Sequence, residues 1–265
     1  MNELIDIGLN LMHTSFNKNR EDILEESAKV GVTKFIITGT NVKSSEEAKD
    51  YAKQDKFNNI LFSTSGVHPH DAKTCDENTL DELEKIAKEE CVVAIGECGL
   101  DYNRNYSEPE TQREWFENQI KLAKKLDMPL FLHERDAHED MVKILEKYPE
   151  MSKKSCIHCF TGTKEEAEKY LELGCYIGVT GWVCDERRGQ SLQEAVKIIP
   201  PERMMIETDA PFLIPRNLPK KPKSNKNKPE YLPHILKTIA EYKNMDPEEL
   251  GKAVTQTTKE FFNIK

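Results

Sequence analysis

Residues 92–134 read VVAIGECGLDYNRNYSEPETQREWFENQIKLAKKLDMPLFLHE. The runs at the two ends of this stretch, 92–100 and 129–134, are short and largely apolar, as strands buried in a parallel sheet are. The stretch between them is charged and has its apolar residues at helical spacing. The segment therefore predicts one strand–helix–strand unit of a parallel α/β fold.

The same alternation of strand and helix runs through the whole chain. Predicted strands cover 4–10, 34–40, 60–67, 92–100, 129–134, 155–160, 175–181 and 204–209. Predicted helices cover 20–30, 44–54, 79–88, 109–126, 137–147, 164–173 and 191–198, and Thr163 with Glu166 predicts a capping box at one of them. Eight such strands indicate an α/β fold, a single-domain TIM (β/α)8 barrel that spans residues 1–265. An open doubly wound sheet is the alternative, but no glycine-rich phosphate loop follows the first strand.

Composition excludes several classes of protein. The chain has 265 residues, 37% of them hydrophobic and 32% charged, with a net charge of −9, which is typical of a globular protein and not of a disordered one. We find no apolar run long enough for a membrane span and no secretory signal. Seven scattered cysteines favour reduced thiols in a cytoplasmic or nuclear protein, which we expect to be a monomer. Because the net charge of the chain is negative, any binding of nucleic acid must depend on a local basic patch.

Residues of types that can bind a divalent cation lie at or near the carboxyl ends of four predicted strands. They are Glu97, His133, His158 and Asp209. In a barrel the carboxyl ends of the strands meet on one face, where such enzymes build their active sites. Imidazole and carboxylate together suit Zn²⁺, Mn²⁺, Fe²⁺ or Mg²⁺. Each residue alone is as well explained by a structural hydrogen bond or a helix cap, but four together predict a shared metal site.

Seven segments of the chain resemble the signature motifs of the TatD-family deoxyribonucleases. They are GVHPH (66–70), GECGLDYNR (96–104), HERDAH (133–138), HCFTG (158–162), GWVCDERRG (181–189), ETDAPFL (207–213) and PEYLPHI (229–235). The resemblance implies a barrel of the metal-dependent hydrolase type that removes nucleotides from the 3′ ends of single-stranded DNA. It also implies that Glu97, His133, His158 and Asp209 are metal ligands, and that Asp209 and Glu97 are catalytic, with Asp209 orienting or deprotonating the attacking water.

The first strand departs from the pattern of many family members, which carry a His-x-His pair there. This chain has Gly8 and Asn10 at those positions, as in the DIGxN variant of the family. We therefore expect one or two divalent cations, Mg²⁺ first, with Mn²⁺ or Zn²⁺ as alternatives. Asp6 or Asn10 is a candidate oxygen ligand, and a hydrogen-bonding role at the strand end explains either residue equally well.

Other residues are candidates for contacts with substrate or with the ligands. For phosphate or substrate binding they are His68, Arg135, Arg187, Arg188, Lys220 and Lys221. The last two belong to a proline-rich loop after the eighth strand, where six basic residues and no acid lie between Arg216 and Lys228. Glu207 and Asn10 are candidates for holding the ligands in place.

The sequence thus predicts a metal-dependent 3′–5′ exonuclease with single-stranded DNA as its partner and no association with membranes. A barrel amidohydrolase that cleaves a C–N or ester bond in a small substrate is one alternative. A non-catalytic scaffold is the other, although a scaffold has no need of the four proposed ligands.

Overall fold

The computed structural model describes residues 3–220 and 222–265. Within them, eight parallel strands form one sheet, in which each strand pairs with the next along the chain. The strands are β1 (Leu4–Leu9), β2 (Val32–Ile37), β3 (Leu61–Ser65), β4 (Val92–Asp101), β5 (Leu130–Arg135), β6 (Ser155–Ile157), β7 (Tyr176–Val179) and β8 (Met204–Ile206). Leu9 pairs with Ala210 in a parallel bridge, which brings β1 against the chain beyond β8. The predicted single-domain TIM barrel is confirmed.

Helices connect the strands and close the chain. They are α1 (Arg20–Ala28), α2 (Val42–Ala52), α3 (Thr79–Ala87), α4 (Pro109–Leu126), α5 (His138–Glu146), α6 (Pro149–Ser152), α7 (Lys164–Glu172), α8 (Gln190–Ile198), α9 (Leu232–Lys243) and α10 (Pro247–Phe262). The predicted capping box is confirmed at α7, where Thr163 Oγ1 accepts from the Glu166 N–H at 3.2 Å and Glu166 Oε2 accepts from the Thr163 N–H at 2.7 Å. None of the helices in the described ranges is long and apolar enough to cross a membrane.

Several predicted strands extend too far toward their carboxyl ends. Regular pairing stops at Ile157 in β6 and at Ile206 in β8, whereas the sequence pattern predicts strands to 160 and 209. The prediction is wrong there because Cys159 and Asp209 adopt left-handed backbone conformations, with φ of 48° and 53°, which a strand does not contain. His158 and Asp209 therefore lie on turns just beyond their strands.

The basic loop after β8 forms no helix or further strand in residues 207–220 and 222–228, apart from the bridge at Ala210. It is held against the barrel by Asn227, whose side-chain amide donates to the Thr208 carbonyl at 2.8 Å. The Asn227 N–H also donates to the Pro211 carbonyl at 3.0 Å. The predicted irregular loop is thus confirmed, and part of it lies next to Asp209.

Apolar side chains fill the barrel interior away from the site. Ile7, Phe131 and Met205 are buried there, and Phe262 and Ile264 from the carboxyl terminus pack against the same cluster. Full burial of each such side chain contributes about 1.5–3 kcal/mol. Because these apolar side chains fill the interior, the polar groups lie at the carboxyl ends of the strands.

Glu3 fastens the start of β1 to β2 and α10. Its Oε1 lies 2.6 Å from Lys34 Nζ and its Oε2 lies 2.5 Å from Lys259 Nζ. Burial raises the pKa of Glu3, but the two ammonium groups outweigh it and lower the pKa from 4.5 to about 2. The ionised carboxylate therefore stabilises the fold above pH 4.5, and this contribution is lost as the pH falls through 4.5 toward 2.

Glu3→Gln should lower the free energy of unfolding by about 1 kcal/mol near neutral pH, because solvent reaches 32% of the Glu3 side chain and screens the pairs. Urea titrations of both proteins from about pH 7 to about pH 3 should show this difference shrinking in the acid range. Glu77→Gln, on an exposed loop, is the control and should change the free energy by less than about 0.5 kcal/mol. A difference that stays constant into acid would contradict the pairing.

Candidate active site

Glu97 lies inside β4, four positions before its end, and not at the strand end itself. The preceding residue is Gly96, with φ of +142°, and a Cβ there would stand 2.1 Å from the Phe131 carbonyl oxygen. Only glycine fits so close an approach of β4 to β5, where the pairing register also shifts. The Glu97 N–H donates to the Gly39 carbonyl at 2.7 Å. This local backbone positions the Glu97 carboxylate within the barrel mouth.

One oxygen of Glu97 is shared by three imidazoles. Glu97 Oε1 lies 2.7 Å from His158 Nε2, 2.9 Å from His133 Nδ1 and 3.3 Å from His68 Nε2. Burial raises the Glu97 pKa, but His158, His68 and His133 outweigh it and hold the pKa well below 4.5. Burial lowers the pKa of His158, but Glu97 and Glu207 outweigh burial and raise this pKa well above 6.5. Glu97 is therefore a buried anion whose partners are all imidazoles.

Asp101 is a site residue that the sequence analysis missed. Its side chain is buried at the end of β4, and its Oδ2 lies 2.8 Å from His70 Nε2 and 3.2 Å from His133 Nε2. The signal was available, because Asp101 is a strand-end carboxylate in the GECGLDYNR motif. Asp101 and Glu97 together contact both nitrogens of the His133 ring, which sets the orientation of that ring.

Asp209 lines the same cavity as Glu97. The Asn10 side-chain amide donates to Asp209 Oδ1 at 2.8 Å. Burial, together with the charges of Glu97 and Glu207, raises the Asp209 pKa to about 7, although His158 and the hydrogen bond from Asn10 lower it. Asn10 thus donates a hydrogen bond to a carboxylate that is costly to bury.

Glu207 is fully buried behind His158. Its Oε2 lies 3.2 Å from His158 Nδ1, and its Oε1 accepts from the Cys159 N–H at 2.5 Å. Two glycines make room for this carboxylate: a Cβ on Gly8 would lie 2.1 Å from Oε2, and one on Gly178 would lie 2.7 Å from Oε1. Glu207 therefore occupies the space that a side chain at position 8 would fill.

Asp6 lies outside the cavity lining. It is fully buried, and its carboxylate accepts hydrogen bonds from the Thr208 N–H at 2.9 Å and from the Thr208 hydroxyl. Of the two oxygen ligands considered for the first strand, only Asn10 lines the cavity.

These groups line an open cavity of about 820 Å³. Its wall holds six acidic residues: Asp71, Glu97, Asp101, Glu134, Asp136 and Asp209. Its arginines are Arg104, Arg135 and Arg188, so the carboxylates outnumber the guanidinium groups by three. Excess negative charge in the cavity disfavours phosphate, and a bound divalent cation would offset two units of that charge.

The donor atoms fit a divalent cation. Among the described residues, one ligand atom each from His68, Glu97 and His133 lie within 4.8 Å of one another. His158 touches the same Glu97 oxygen, and Asp209 lines the same cavity. Imidazole nitrogen and carboxylate oxygen are donors that Mg²⁺, Mn²⁺ and Zn²⁺ accept in proteins.

The predicted substrate contacts are only partly gathered at the cavity. His68, Arg135 and Arg188 line it, whereas Arg187 and Lys220 are exposed and do not. Lys221 lies outside the described residues.

Comparison with known proteins agrees with this arrangement. A family model described as TatD related DNase matches residues 5–263. The 3′-5′ ssDNA/RNA exonuclease TatD of Escherichia fergusonii is 45% identical over 261 residues, which cover 98% of this chain and 99% of that protein. The protein of the same name from Escherichia coli K12 is 44% identical, with 98% and 99% covered. A solved TatD homologue from Escherichia coli K12 superposes with a TM-score of 0.89 at 25% identity, covering 99% of this chain and 98% of the homologue. The chain therefore belongs to the TatD related DNase family.

Proposed function

We propose that this protein removes nucleotides from the 3′ ends of single-stranded DNA by metal-dependent hydrolysis of phosphodiester bonds. The observation that carries the proposal is the Glu97 carboxylate, shared by three imidazoles in an open acidic cavity. Support for the substrate comes from relatives at 44% and 45% identity over 98% of the chain, which are named 3′-5′ ssDNA/RNA exonucleases.

Membership of the family implies divalent metal ions. In this chain Glu97, His133, His158 and Asp209 would hold one, and His68 is a further donor beside Glu97. We propose Mg²⁺ as the native ion, with Mn²⁺ or Zn²⁺ as alternatives and room for one or two ions. When bound, the cation supplies positive charge against a phosphate oxygen and lowers the pKa of a water.

The protein's own residues orient the reactants. Asn10 holds Asp209 Oδ1, which leaves Oδ2 to accept a proton from the attacking water. Glu207 and Asp101 keep the rings of His158 and His133 in place through their second nitrogens. Arg135, which lines the cavity, binds a phosphate oxygen next to the cleaved bond.

The mouth of the cavity favours an unpaired strand. Phe212 lines it and is exposed, and Tyr106, also exposed, packs edge-on against His70 with ring centroids 4.8 Å apart. Exposed aromatic rings beside phosphate-binding groups are stacking surfaces for unpaired bases. The bases of a duplex are stacked on one another and cannot use these rings.

His158→Ala tests the proposal. This variant should lower kcat/KM on 3′-labelled single-stranded DNA at least about a hundredfold, equivalent to about 2.7 kcal/mol. The reason is that it removes a hydrogen-bond partner of Glu97 and a proposed ligand of the cation. His234→Ala is the control and should match the wild type, because His234 does not line the cavity. Chelated protein should be inactive and should recover with Mg²⁺ or Mn²⁺. Unaltered turnover by His158→Ala would remove this residue from the mechanism.

The same preparation separates the alternatives. Polarity and strand preference follow from oligonucleotides labelled at the 3′ or the 5′ end, single-stranded or duplex, DNA or RNA. Hydrolysis of a cyclic amide with no attack on nucleic acid would favour an amidohydrolase. Failure to bind any divalent ion would favour a scaffold. Light scattering tests the predicted monomer. The extent of the domain over all of residues 1–265 and the cytoplasmic or nuclear location remain predictions.

A further inference from the structure

Asp185 contacts arginines from two loops, one after β7 and one after β8. Its Oδ2 lies 3.1 Å from both Nε and Nη2 of Arg188, and 3.0 Å from Arg216 Nε. Its Oδ1 accepts from the Arg187 N–H at 3.0 Å and lies 3.7 Å from Arg187 Nε. The cluster of Asp185 with these three arginines, here called the arginine cluster, is not explained by the proposed chemistry at Glu97.

The arginine cluster has a net positive charge. The Asp185 side chain is 4% exposed, whereas those of Arg187, Arg188 and Arg216 are 68%, 55% and 53% exposed. One carboxylate balances one of the three guanidinium charges, so two charges face solvent. Each guanidinium has five N–H donors. The N–H groups of Arg188 and Arg216 that do not contact Asp185 are available to bind another anion.

Arg188 is held in a fixed position. Its guanidinium lies 4.6 Å from the ring centroid of Trp182, so it is stacked on one side and bonded to Asp185 at its edge. A guanidinium fixed in this way loses little side-chain entropy when it binds phosphate in its planar fork. The neighbouring Glu186 lines a different cavity, together with Glu241 and Tyr242.

The cluster adjoins the acidic cavity. Arg188 and Trp182 line that cavity, and Arg216 follows Asp209 along the same loop. We propose that the arginine cluster binds a backbone phosphate of the substrate strand, away from the bond that is cleaved, with Asp185 as its positioning residue. This inference rests on the proposed function and adds to it a dependence on substrate length, because a dinucleotide has no phosphate to reach the cluster.

The double variant Arg188→Ala/Arg216→Ala tests the inference. On a single-stranded 12-mer its KM should rise about tenfold with kcat nearly unchanged, whereas turnover of a dinucleotide should equal that of the wild type. Each phosphate neutralised on a single strand contributes about 0.7 to the slope of log affinity against log salt, so loss of the one phosphate bound by the cluster should lower that slope by about 0.7. Fluorescence anisotropy of the labelled 12-mer with metal-free protein measures the slope without any need for hydrolysis.

Matched variants keep the test decisive. Lys85→Ala/Lys252→Ala removes the same charge from the exposed faces of α3 and α10 and should leave slope and KM unchanged. Arg188→Lys/Arg216→Lys keeps both charges and should keep most of the slope, even if the alanine variant fails to fold. Asp185→Asn should raise KM on the 12-mer and not on the dinucleotide.

Two results separate this inference from the function it rests on. An unchanged salt slope in the alanine variant, with equal effects on the 12-mer and the dinucleotide, would overturn the phosphate site and leave the nuclease proposal standing. Wild-type protein that cleaves no nucleic acid, yet loses the slope in the double variant, would overturn the nuclease proposal and keep the site.

Discussion

Replacing Glu97 with Gln should lower kcat/KM for hydrolysis of single-stranded DNA at least about a thousandfold, equivalent to about 4 kcal/mol. Glu97 Oε1 is an acceptor that His68, His133 and His158 have in common. An amide keeps the size of the side chain and removes its negative charge. Three imidazoles then meet a neutral group, and the site loses affinity for a divalent cation.

Calorimetry separates this effect from unfolding. Glu97→Gln should retain the circular dichroism spectrum of the wild type while its Kd for Mn²⁺ rises at least about tenfold. Glu117→Gln is the matched control, because Glu117 contacts Lys147 at 2.7 Å and Tyr148 at 3.1 Å and does not line the cavity. It should change neither Kd nor turnover. A Glu97→Gln protein that stays within about tenfold of wild-type turnover would remove Glu97 from the chemistry.

The barrel and the four proposed ligands could be predicted because both depend on local pattern. Apolar runs that alternate with charged helical stretches identify eight strands, and residue type at or near the predicted strand ends selects Glu97, His133, His158 and Asp209 as candidates. Periodicity does not report backbone handedness, however. It therefore extended β6 and β8 through Cys159 and Asp209, where positive φ ends the strand.

Contacts between distant segments could not be predicted. Which imidazole meets which carboxylate depends on the register shift in β4 and on the direction of each side chain. The contact of Asp101 with His70 and that of Asp185 with Arg216 join residues far apart in the chain, with no spacing that signals them. The arginine cluster thus emerges only in the folded structure, although Arg187 and Arg188 are recognisable candidates in the sequence.

Gly8→Ala should damage the site even though glycine contributes no side chain to it. The added Cβ would lie 2.1 Å from Glu207 Oε2, so the Glu207 carboxylate must move. Glu207 is fully buried, and moving it breaks its contacts with His158 Nδ1 and the Cys159 N–H. Any side chain at position 8, such as the first histidine of a His-x-His pair, is therefore sterically incompatible with Glu207 in its present position, which accounts for the glycine in the first strand.

The expected loss has two parts. Overpacking a buried site costs about 1–3 kcal/mol of stability, which lowers the Tm by about 5 °C in a chain of this size. Misorienting a metal-binding imidazole costs about 10- to 100-fold in metal affinity or activity. Gly8→Ala should show both, by calorimetric melting and by steady-state turnover on single-stranded DNA.

A double-mutant cycle assigns the effect to Glu207. Once Glu207→Ala has emptied the space, Gly8→Ala no longer meets a carboxylate, so adding it should change turnover by less than about twofold and the Tm by about 1 °C or less. The losses from Gly8→Ala and Glu207→Ala are then far from additive, because both act on the same bond to His158 Nδ1. Equal losses from Gly8→Ala in both backgrounds would show that the glycine acts on the β1 backbone alone and not through Glu207.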